Sequence, residues 1–169
     1  MDTKIQPRSA PDGFFHFARP RLNKLLEEGV QSPLVIVCAG AGTGKTAALR
    51  DFTRGYRAAV VWLQISERDN VGARFWESFT RAVAAVNEPF AAALRKLGFP
   101  GSGDKLSQYT ALTRKYDREE RRVVVLDDFH RLEDPAVLAF LQQAIAVLPE
   151  GMSLVLASRA TPRVDVAGL

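Results

Sequence analysis

Residues 39–46 have the residue types and the spacing that bind a phosphate chain. The segment alternates glycine with small residues and ends in Gly44, Lys45 and Thr46. Glycines allow the backbone to turn around an anion with successive N–H groups pointing inward. The lysine can then reach the β- and γ-phosphates, and the threonine hydroxyl can bind Mg²⁺. The candidate phosphate-binding residues are therefore Ala39, Gly40, Ala41, Gly42, Thr43, Gly44, Lys45 and Thr46.

The flanking residues supply the context that such a loop requires. A short apolar, β-branched stretch at 34–38 predicts a buried strand before the loop, and residues 47–52 favour a helix after it. The start of that helix adds the positive end of its dipole at the same place. One residue departs from the motif, because Ala39 stands where a glycine is usual. The alternative interpretation is a glycine-rich turn that binds nothing.

Two aspartates, Asp127 and Asp128, follow an apolar stretch at 123–126 and form a Walker B pattern downstream of the loop. A carboxylate at a strand end can hold Mg²⁺, and we assign that role to Asp127 together with Thr46. Asp128 is the candidate for orienting or deprotonating the attacking water. Many ATPases have a glutamate there, which reaches further, so we expect slow hydrolysis. Taken alone, such an acidic pair is more often a helix cap or a surface turn.

Arg159, at the end of a predicted strand at 153–159, is the second candidate catalytic residue. A guanidinium at that position can contact the γ-phosphate and so distinguish ATP from ADP. The alternative is an arginine on the rim of the sheet. His130 follows the acids closely in the sequence, and we expect it to pack there rather than to act as a general base.

These candidates lie at the ends of strands that alternate with helices. Further strands are predicted at 59–65 and 123–128, and helices at about 20–29, 47–54, 70–86, 87–97, 104–116 and 135–148. Such alternation predicts an α/β fold with a parallel sheet. Ligands of parallel sheets bind at the carboxyl ends of the strands. That rule brings the loop, the two acids and Arg159 together.

Apolar stripes mark the predicted helices, among them those at 70–86 and 135–148. The first has Asp69 or Asn70 as its cap and is expected to bury Val71, Phe75, Phe79, Val83 and Val86. The second has Asp134 as its cap and Pro135 in its first turn, and is expected to bury Leu138, Leu141, Ile145 and Leu148.

The composition is that of a globular domain. The chain has 169 residues, 47% hydrophobic and 25% charged, with a net charge of +4. The basic residues are spread out, which favours a solvated surface over a nucleic-acid interface. No apolar run is long enough to span a bilayer, so we expect a soluble cytoplasmic protein without membrane contact. The single cysteine, Cys38, excludes an internal disulfide, and we expect it to be a small buried residue.

The combined motifs resemble those of one family. In order and spacing, the chain contains RPRL, AGAGTGKT, VVWLQISERDN followed by ARFW, VVVLDDFHRLEDP and LPEGMSLVLASR. This set resembles the N-terminal ATPase domain of large LuxR-family transcriptional regulators of the MalT type, which belong to the STAND class of P-loop ATPases. The resemblance implies an ATP-bound active state and an ADP-bound resting state with Mg²⁺. It also implies self-association in the active state, and DNA binding only through a C-terminal domain that this chain lacks.

The resemblance also has implications for individual residues. It places Arg19, Pro20 and Arg21 near the adenine of the bound nucleotide. The chain departs from the family at Gly40, where proline is usual, and at Ala47, where a second threonine is common. Neither departure removes a phosphate ligand.

The resemblance further implies a three-layer P-loop NTPase fold with a mostly parallel sheet in the strand order 1-4-3-2. The family has a fifth strand beside the phosphate-loop strand, and here we expect that strand to be missing or incomplete. We therefore expect residues 1–18 to pack on the domain and residues 19–169 to form a C-terminally truncated nucleotide-binding domain, with the strand at 34–38 at the sheet edge.

Three functions remain open at this point. The first is an ATP-binding switch in which slow hydrolysis acts as a timer. The second is a stand-alone P-loop ATPase or kinase with true turnover. The third is an interaction module that binds no nucleotide, which is disfavoured because Lys45, Thr46 and Asp127 are all present.

Overall fold

Four strands and six helices alternate along residues 19–116 and 121–162, the part of the chain that the computed structural model describes. The strands are β1 (Leu34–Cys38), β2 (Ala59–Gln64), β3 (Arg122–Asp127) and β4 (Met152–Ser158). The helices are α1 (Pro20–Gly29), α2 (Lys45–Gly55), α3 (Gly72–Ala84), α4 (Glu88–Leu97), α5 (Gly103–Lys115) and α6 (Pro135–Ala146). Among them, none has the length and apolar character needed to cross a bilayer. Residues 1–18 and 163–169 lie outside the described residues. The expected packing of residues 1–18 on the domain and the expected incomplete fifth strand therefore both stay predictions.

The four strands form one parallel sheet in the order β1-β4-β3-β2. This confirms the predicted α/β fold and its 1-4-3-2 order. Cys38 pairs with Ser158, and Gln64 pairs with Asp127. Because these residues end their strands, the carboxyl ends of all four strands meet at one edge of the sheet.

Apolar side chains cover both faces of the sheet and define three layers. On β3, Val124 and Leu126 pack in one cluster with α3, α4, α5 and α6. The alternate residues Val123 and Val125 pack in a second cluster with α1 and α2. This alternation follows from the two-residue period of a strand, and covering by helices on both faces is what a parallel sheet requires.

Strand β1 is less buried than its apolar sequence suggests. It pairs with β4 on one side and forms an edge of the sheet within the described residues. Ile36 is 38% exposed, and Cys38 is exposed as well. The expectation of a buried Cys38 is therefore wrong, because an edge strand lacks the neighbour that would cover its side chains.

The core on the α3–α6 face is built around aromatic rings, among which Trp76 and Phe140 lie outside the predicted stripes. The ring of Phe140, in α6, lies with its centroid 5.1 Å from that of Tyr109 and 5.6 Å from that of Trp76. Trp76 is 4% exposed, and its indole N–H donates to the carbonyl of Leu94 at 2.9 Å. The side chains of Trp76 and Phe140 therefore pack between helices as well as against the sheet.

The predicted stripe of α3 is wrong at both of its ends. The helix spans Gly72–Ala84, so Val71 and Val86 lie outside it and are 56% and 40% exposed. Neither Asp69 nor Asn70 caps it, because Val71 occupies the N-cap position and no side chain accepts there. The chain at 67–69 instead forms a 3₁₀ turn before the helix.

Candidate nucleotide-binding site

The candidate phosphate loop connects β1 to α2 and depends on two glycines in the left-handed region. Gly42 has φ 73° and Gly44 has φ 82°, a conformation that costs other residues steric strain. A Cβ atom on Gly44 would also lie 3.2 Å from the Arg19 guanidinium, whereas one on Gly40 would meet nothing within 4 Å. Gly42 and Gly44 are therefore required by the backbone, and Gly40 is not.

Alanine at position 39 fits its backbone environment without strain. The N–H of Ala39 donates to the carbonyl of Ser158 at 3.3 Å, which extends the pairing of β1 with β4 by one residue. In the described part of the chain, Asp128 is the one non-glycine residue with positive φ. Ala39 is thus in an ordinary conformation, and its departure from the motif leaves the loop geometry intact.

Lys45 and the start of α2 bring positive charge to the loop. The ammonium of Lys45 donates to the carbonyl of Gly40 at 2.8 Å and to that of Ala39. The Thr43 hydroxyl also donates to the Gly40 carbonyl, at 2.9 Å. No side chain caps α2 at Gly44, so the N–H groups of its first turn face the loop as an anion site.

Thr46 and Asp127 meet at this edge although they lie 81 positions apart. The Thr46 hydroxyl donates to Oδ2 of Asp127 at 2.8 Å, and the other carboxylate oxygen, Oδ1, accepts from the N–H of Asp128 at 2.9 Å. Asp127 is only 1% exposed. A hydroxyl and a carboxylate in contact are hard oxygen ligands, which fit Mg²⁺.

Asp128 is held in an unusual backbone conformation beside a residue that the sequence reasoning missed. Its φ is 55°, in the left-handed region, which aspartate tolerates better than most residues. The Gln64 carboxamide donates to Oδ2 of Asp128 at 3.3 Å. Gln64 is a polar residue at the carboxyl end of β2, so the rule that gathers ligands at strand ends applies to it equally.

His130 and Arg159 lie near each other at the same edge. Partial burial lowers the pKa of His130, and the positive charge of Arg159 lowers it further. The charge of Asp128 acts in the opposite direction, and Lys45 adds a smaller lowering. The imidazole is therefore neutral at neutral pH, and its Nδ1 atom is buried without a hydrogen-bond partner. Arg159 follows directly after β4 and is exposed.

Of the three residues assigned to the adenine by resemblance, Arg19 reaches the loop. Its guanidinium donates to the carbonyl of Thr43 at 3.3 Å. Pro20 begins α1, and both Pro20 and Arg21 are exposed in its first turn. The structure thus brings together Arg19, the loop, the two acids and Gln64.

Comparison with known proteins gives both a family match and individual relatives. The profile of a family described as an AAA domain matches residues 30–160. The chain is similar to the serine/threonine-protein kinase PknK of Mycobacterium tuberculosis, with 30% identity over 148 residues, or 82% of this chain and 13% of PknK. It is also similar to the HTH-type transcriptional regulator MalT of Vibrio cholerae, with 27% identity over 155 residues, or 89% of this chain and 17% of MalT. The chain therefore spans a small part of each of these relatives.

Two solved structures are similar in fold. A Walker-type ATPase of Pyrococcus abyssi has a TM-score of 0.58 at 15% identity, over 92% of this chain and 48% of that chain. The ORC1 protein of Aeropyrum pernix, solved in complex with DNA, has a TM-score of 0.52 at 18% identity, over 89% and 42% of the two chains. At these identities the similarity concerns the fold alone.

Proposed function

The chain belongs to the AAA domain family, and on that premise we propose that it binds ATP with Mg²⁺ as the slowly hydrolysing switch domain of a longer bacterial transcriptional regulator. The observation that carries the proposal is the 2.8 Å contact between Thr46 and Asp127 next to the Lys45 loop. It brings together, from distant parts of the sequence, the two residues that we propose hold Mg²⁺. Nucleotide and Mg²⁺ use is general in P-loop ATPases.

The loop is suited to the phosphate chain of a nucleotide. The Lys45 charge and the N–H groups at the start of α2 provide donors for phosphate oxygens. Arg19 adds a second cation beside Gly44. When bound, Mg²⁺ would neutralise the β- and γ-phosphate oxygens, and Thr46 and Asp127 are the residues that would hold it.

Asp127→Asn is expected to remove most of the Mg²⁺ dependence of nucleotide binding. The amide keeps the size of the carboxylate and one acceptor oxygen, but it lacks the charge and replaces the second acceptor with a donor. We expect affinity in Mg²⁺ to fall on the order of tenfold, about 1.4 kcal/mol. Titration of a fluorescent ATP analogue with and without Mg²⁺ measures this.

The matched control is Asp134→Asn, at the same edge of the sheet. Asp134 caps α6 by accepting from the N–H groups of Ala136 and Val137, and asparagine caps equally well. It should keep the wild-type Mg²⁺ dependence. Equal Mg²⁺ dependence in Asp127→Asn and the wild type would contradict the assignment.

Asp128 is our candidate for orienting the attacking water. Its carboxylate is exposed enough to reach water and is oriented by Gln64. Since aspartate is shorter than the glutamate common at this position, hydrolysis should be slow. This agrees with a timer rather than a turnover enzyme.

Asp128→Asn is expected to lower ATP turnover on the order of 100-fold and to leave ATP affinity nearly unchanged. Asparagine also tolerates φ 55°, so the change removes the charge without straining the backbone. Single-turnover hydrolysis, measured beside an affinity titration, tests this. Asp128→Gly serves as the backbone control and should lose turnover equally. Wild-type turnover in Asp128→Asn would exclude the assigned role.

Arg159 is our candidate for distinguishing ATP from ADP. Its charge acts on His130 at the edge that also carries Lys45 and Asp128. A guanidinium there can contact a γ-phosphate, which ADP lacks. In the proposed switch, this difference biases the domain toward self-association in the ATP state. DNA binding belongs to a part of the regulator outside this chain.

The alternative is a stand-alone ATPase or kinase with true turnover, and steady-state kinetics separates it from the switch. A switch is expected to bind ATP firmly and to hydrolyse it far more slowly than the ~10 s⁻¹ typical of enzymes. A rate near that value would favour the alternative. Light scattering in ATP and in ADP then tests nucleotide-controlled self-association.

A further inference from the structure

We infer that Asn70 is a positioning residue that holds the segment 128–134, and with it Asp128, in place for hydrolysis. The inference rests on the proposed function, because Asp128 matters only if the site hydrolyses ATP. Asn70 lies between β2 and α3, in the part of the VVWLQISERDN motif to which the nucleotide site itself assigns no role.

The carboxamide of Asn70 bridges two loops through three hydrogen bonds. Its Nδ2 donates to the carbonyl of Arg131 at 2.7 Å. Its Oδ1 accepts from the N–H of Glu133 at 2.6 Å and from the N–H of Asp134 at 3.2 Å. These partners fix the orientation of the group, since only the oxygen can accept and only the nitrogen can donate.

The backbone that carries Asn70 is itself held firmly. Oδ2 of Asp69 accepts from both the N–H and the hydroxyl of Ser66, each at 2.7 Å. Asp69 is only 2% exposed. A buried carboxylate with its hydrogen bonds satisfied ties this turn down, so Asn70 is anchored to the end of β2.

The segment 128–134 is held by backbone hydrogen bonds at its start, by the buried side chains of Phe129 and Leu132, and by Asn70 near its end. At its start, the N–H of Ile65 donates to the carbonyl of Asp127 at 2.8 Å, which continues the β2–β3 pairing. Next comes a 3₁₀ turn in which the N–H of Arg131 donates to the carbonyl of Asp128 at 3.0 Å. Asn70 binds just after this turn. Without it, the carbonyl of Arg131 and the N–H groups of Glu133 and Asp134 would lose this partner. The turn that follows Asp128 would then be held mainly by the burial of Phe129 and Leu132.

A merely structural role would give a different result from a positioning role. A structural contact would lower stability and leave the turnover of bound ATP unchanged. A positioning contact would lower turnover at nearly constant affinity, because misplacing a catalytic group costs rate rather than binding.

The test compares Asn70→Ala and Asn70→Asp with the control Asn87→Ala. Asn87 accepts from the N–H of Phe90 at 3.0 Å and caps α4, in the connection between α3 and α4. The Asn87→Ala variant therefore measures how much stability and activity are lost when a comparable asparagine hydrogen bond is removed away from the site. Asn70→Asp keeps an acceptor for Glu133 and Asp134 but loses the donor to Arg131.

Three measurements are made on each protein: amide hydrogen exchange over 128–134, ATP affinity in Mg²⁺, and single-turnover hydrolysis. In Asn70→Ala we expect faster exchange at Glu133 and Asp134, and turnover lower by about tenfold with affinity within about twofold. Asn70→Asp should change less in the same direction. Asn87→Ala should match the wild type in all three measurements, although its melting temperature should be lower.

Several outcomes would overturn the inference. Unchanged exchange in Asn70→Ala would show that the contact does not hold the segment. Faster amide exchange over 128–134 in Asn70→Ala, combined with wild-type turnover, would show that Asn70 has only a structural role. If Asn70→Ala does not fold, Asn70→Asp is decisive, and wild-type exchange and turnover in that variant would refute the inference.

The proposed function fails separately from this inference. If the wild-type protein binds ATP with Mg²⁺ but does not hydrolyse the ATP, two proposals fail together: hydrolysis at this site and the catalytic part of the role of Asn70. Normal wild-type hydrolysis combined with an unaffected Asn70→Ala refutes the inference alone.

Discussion

Lys45→Ala is expected to abolish binding of both ATP and ADP while leaving the fold intact. The ammonium lies on the loop, next to the carbonyls of Ala39 and Gly40, and carries the charge that we propose contacts the phosphates. Hydrogen bonds to charged groups contribute about 1.5–3 kcal/mol each. Losing two of them should weaken binding by at least about 100-fold.

The fold should tolerate this change because Lys45 is not part of the core. Helix α2 is anchored instead by Leu49 and Phe52, which are 0% and 3% exposed. The loop keeps its bond between Thr43 and Gly40 and its contact with Arg19. Alanine also favours the helix that begins at this position.

Isothermal titration with ATP and ADP, combined with a thermal melt, tests the prediction. Arg54→Ala is the matched control, since it removes a positive charge from the other end of the same helix. It should retain wild-type affinity. A folded Lys45→Ala protein that still bound ATP with wild-type affinity would refute the proposed site.

Phe140→Ala is expected to cause the largest loss of stability, about 3–5 kcal/mol. Phe140 is 3% exposed. Its ring lies 5.1–6.4 Å, between centroids, from four other aromatic rings, which belong to Phe75, Trp76, Phe99 and Tyr109. Truncation would leave a cavity that several helices share and cannot easily close. Because domains are stable by only about 5–15 kcal/mol, the loss would be a large fraction of the total.

Urea unfolding followed by tryptophan fluorescence gives the free energy of unfolding for this comparison. Leu138→Ala is the control, because Leu138 lies on the same helix and belongs to the predicted stripe but is only partly buried. We expect it to cost clearly less than Phe140→Ala. An equal or larger cost for Leu138→Ala would show that the aromatic cluster is not the centre of this core.

The residues by themselves predicted the fold class and the groups gathered at the carboxyl edge, which follow from short-range patterns and from a rule that holds for all parallel sheets. The strand order was predicted from the resemblance to a known family. The segment around Lys45 is a local motif, and two of its glycines, Gly42 and Gly44, occupy positions where the backbone requires glycine. The roles of Asp128 and Arg159 in catalysis stay predictions.

Local patterns misjudged the core where helix ends and helix packing decide burial. Val71 and Val86 fit the helical period of α3 but lie beyond its ends. Trp76 and Phe140 are buried because α3, α4, α5 and α6 pack against one another as well as against the sheet. A stripe read from one helix describes only the face toward one neighbour, so it misses side chains that face a second helix.

Contacts between distant residues were decided only by the tertiary structure. The sequence contains Asn70 as a plausible helix cap, yet its side chain binds Arg131, Glu133 and Asp134 more than 60 positions away. The contact of Gln64 with Asp128 is of the same kind. A carboxamide can satisfy its donor and its acceptor equally well in a cap, in water or in a neighbouring loop. Which of these it does depends on how closely the two loops approach, and that distance is set by the pairing of β2 with β3 and by the packing of the helices that follow them.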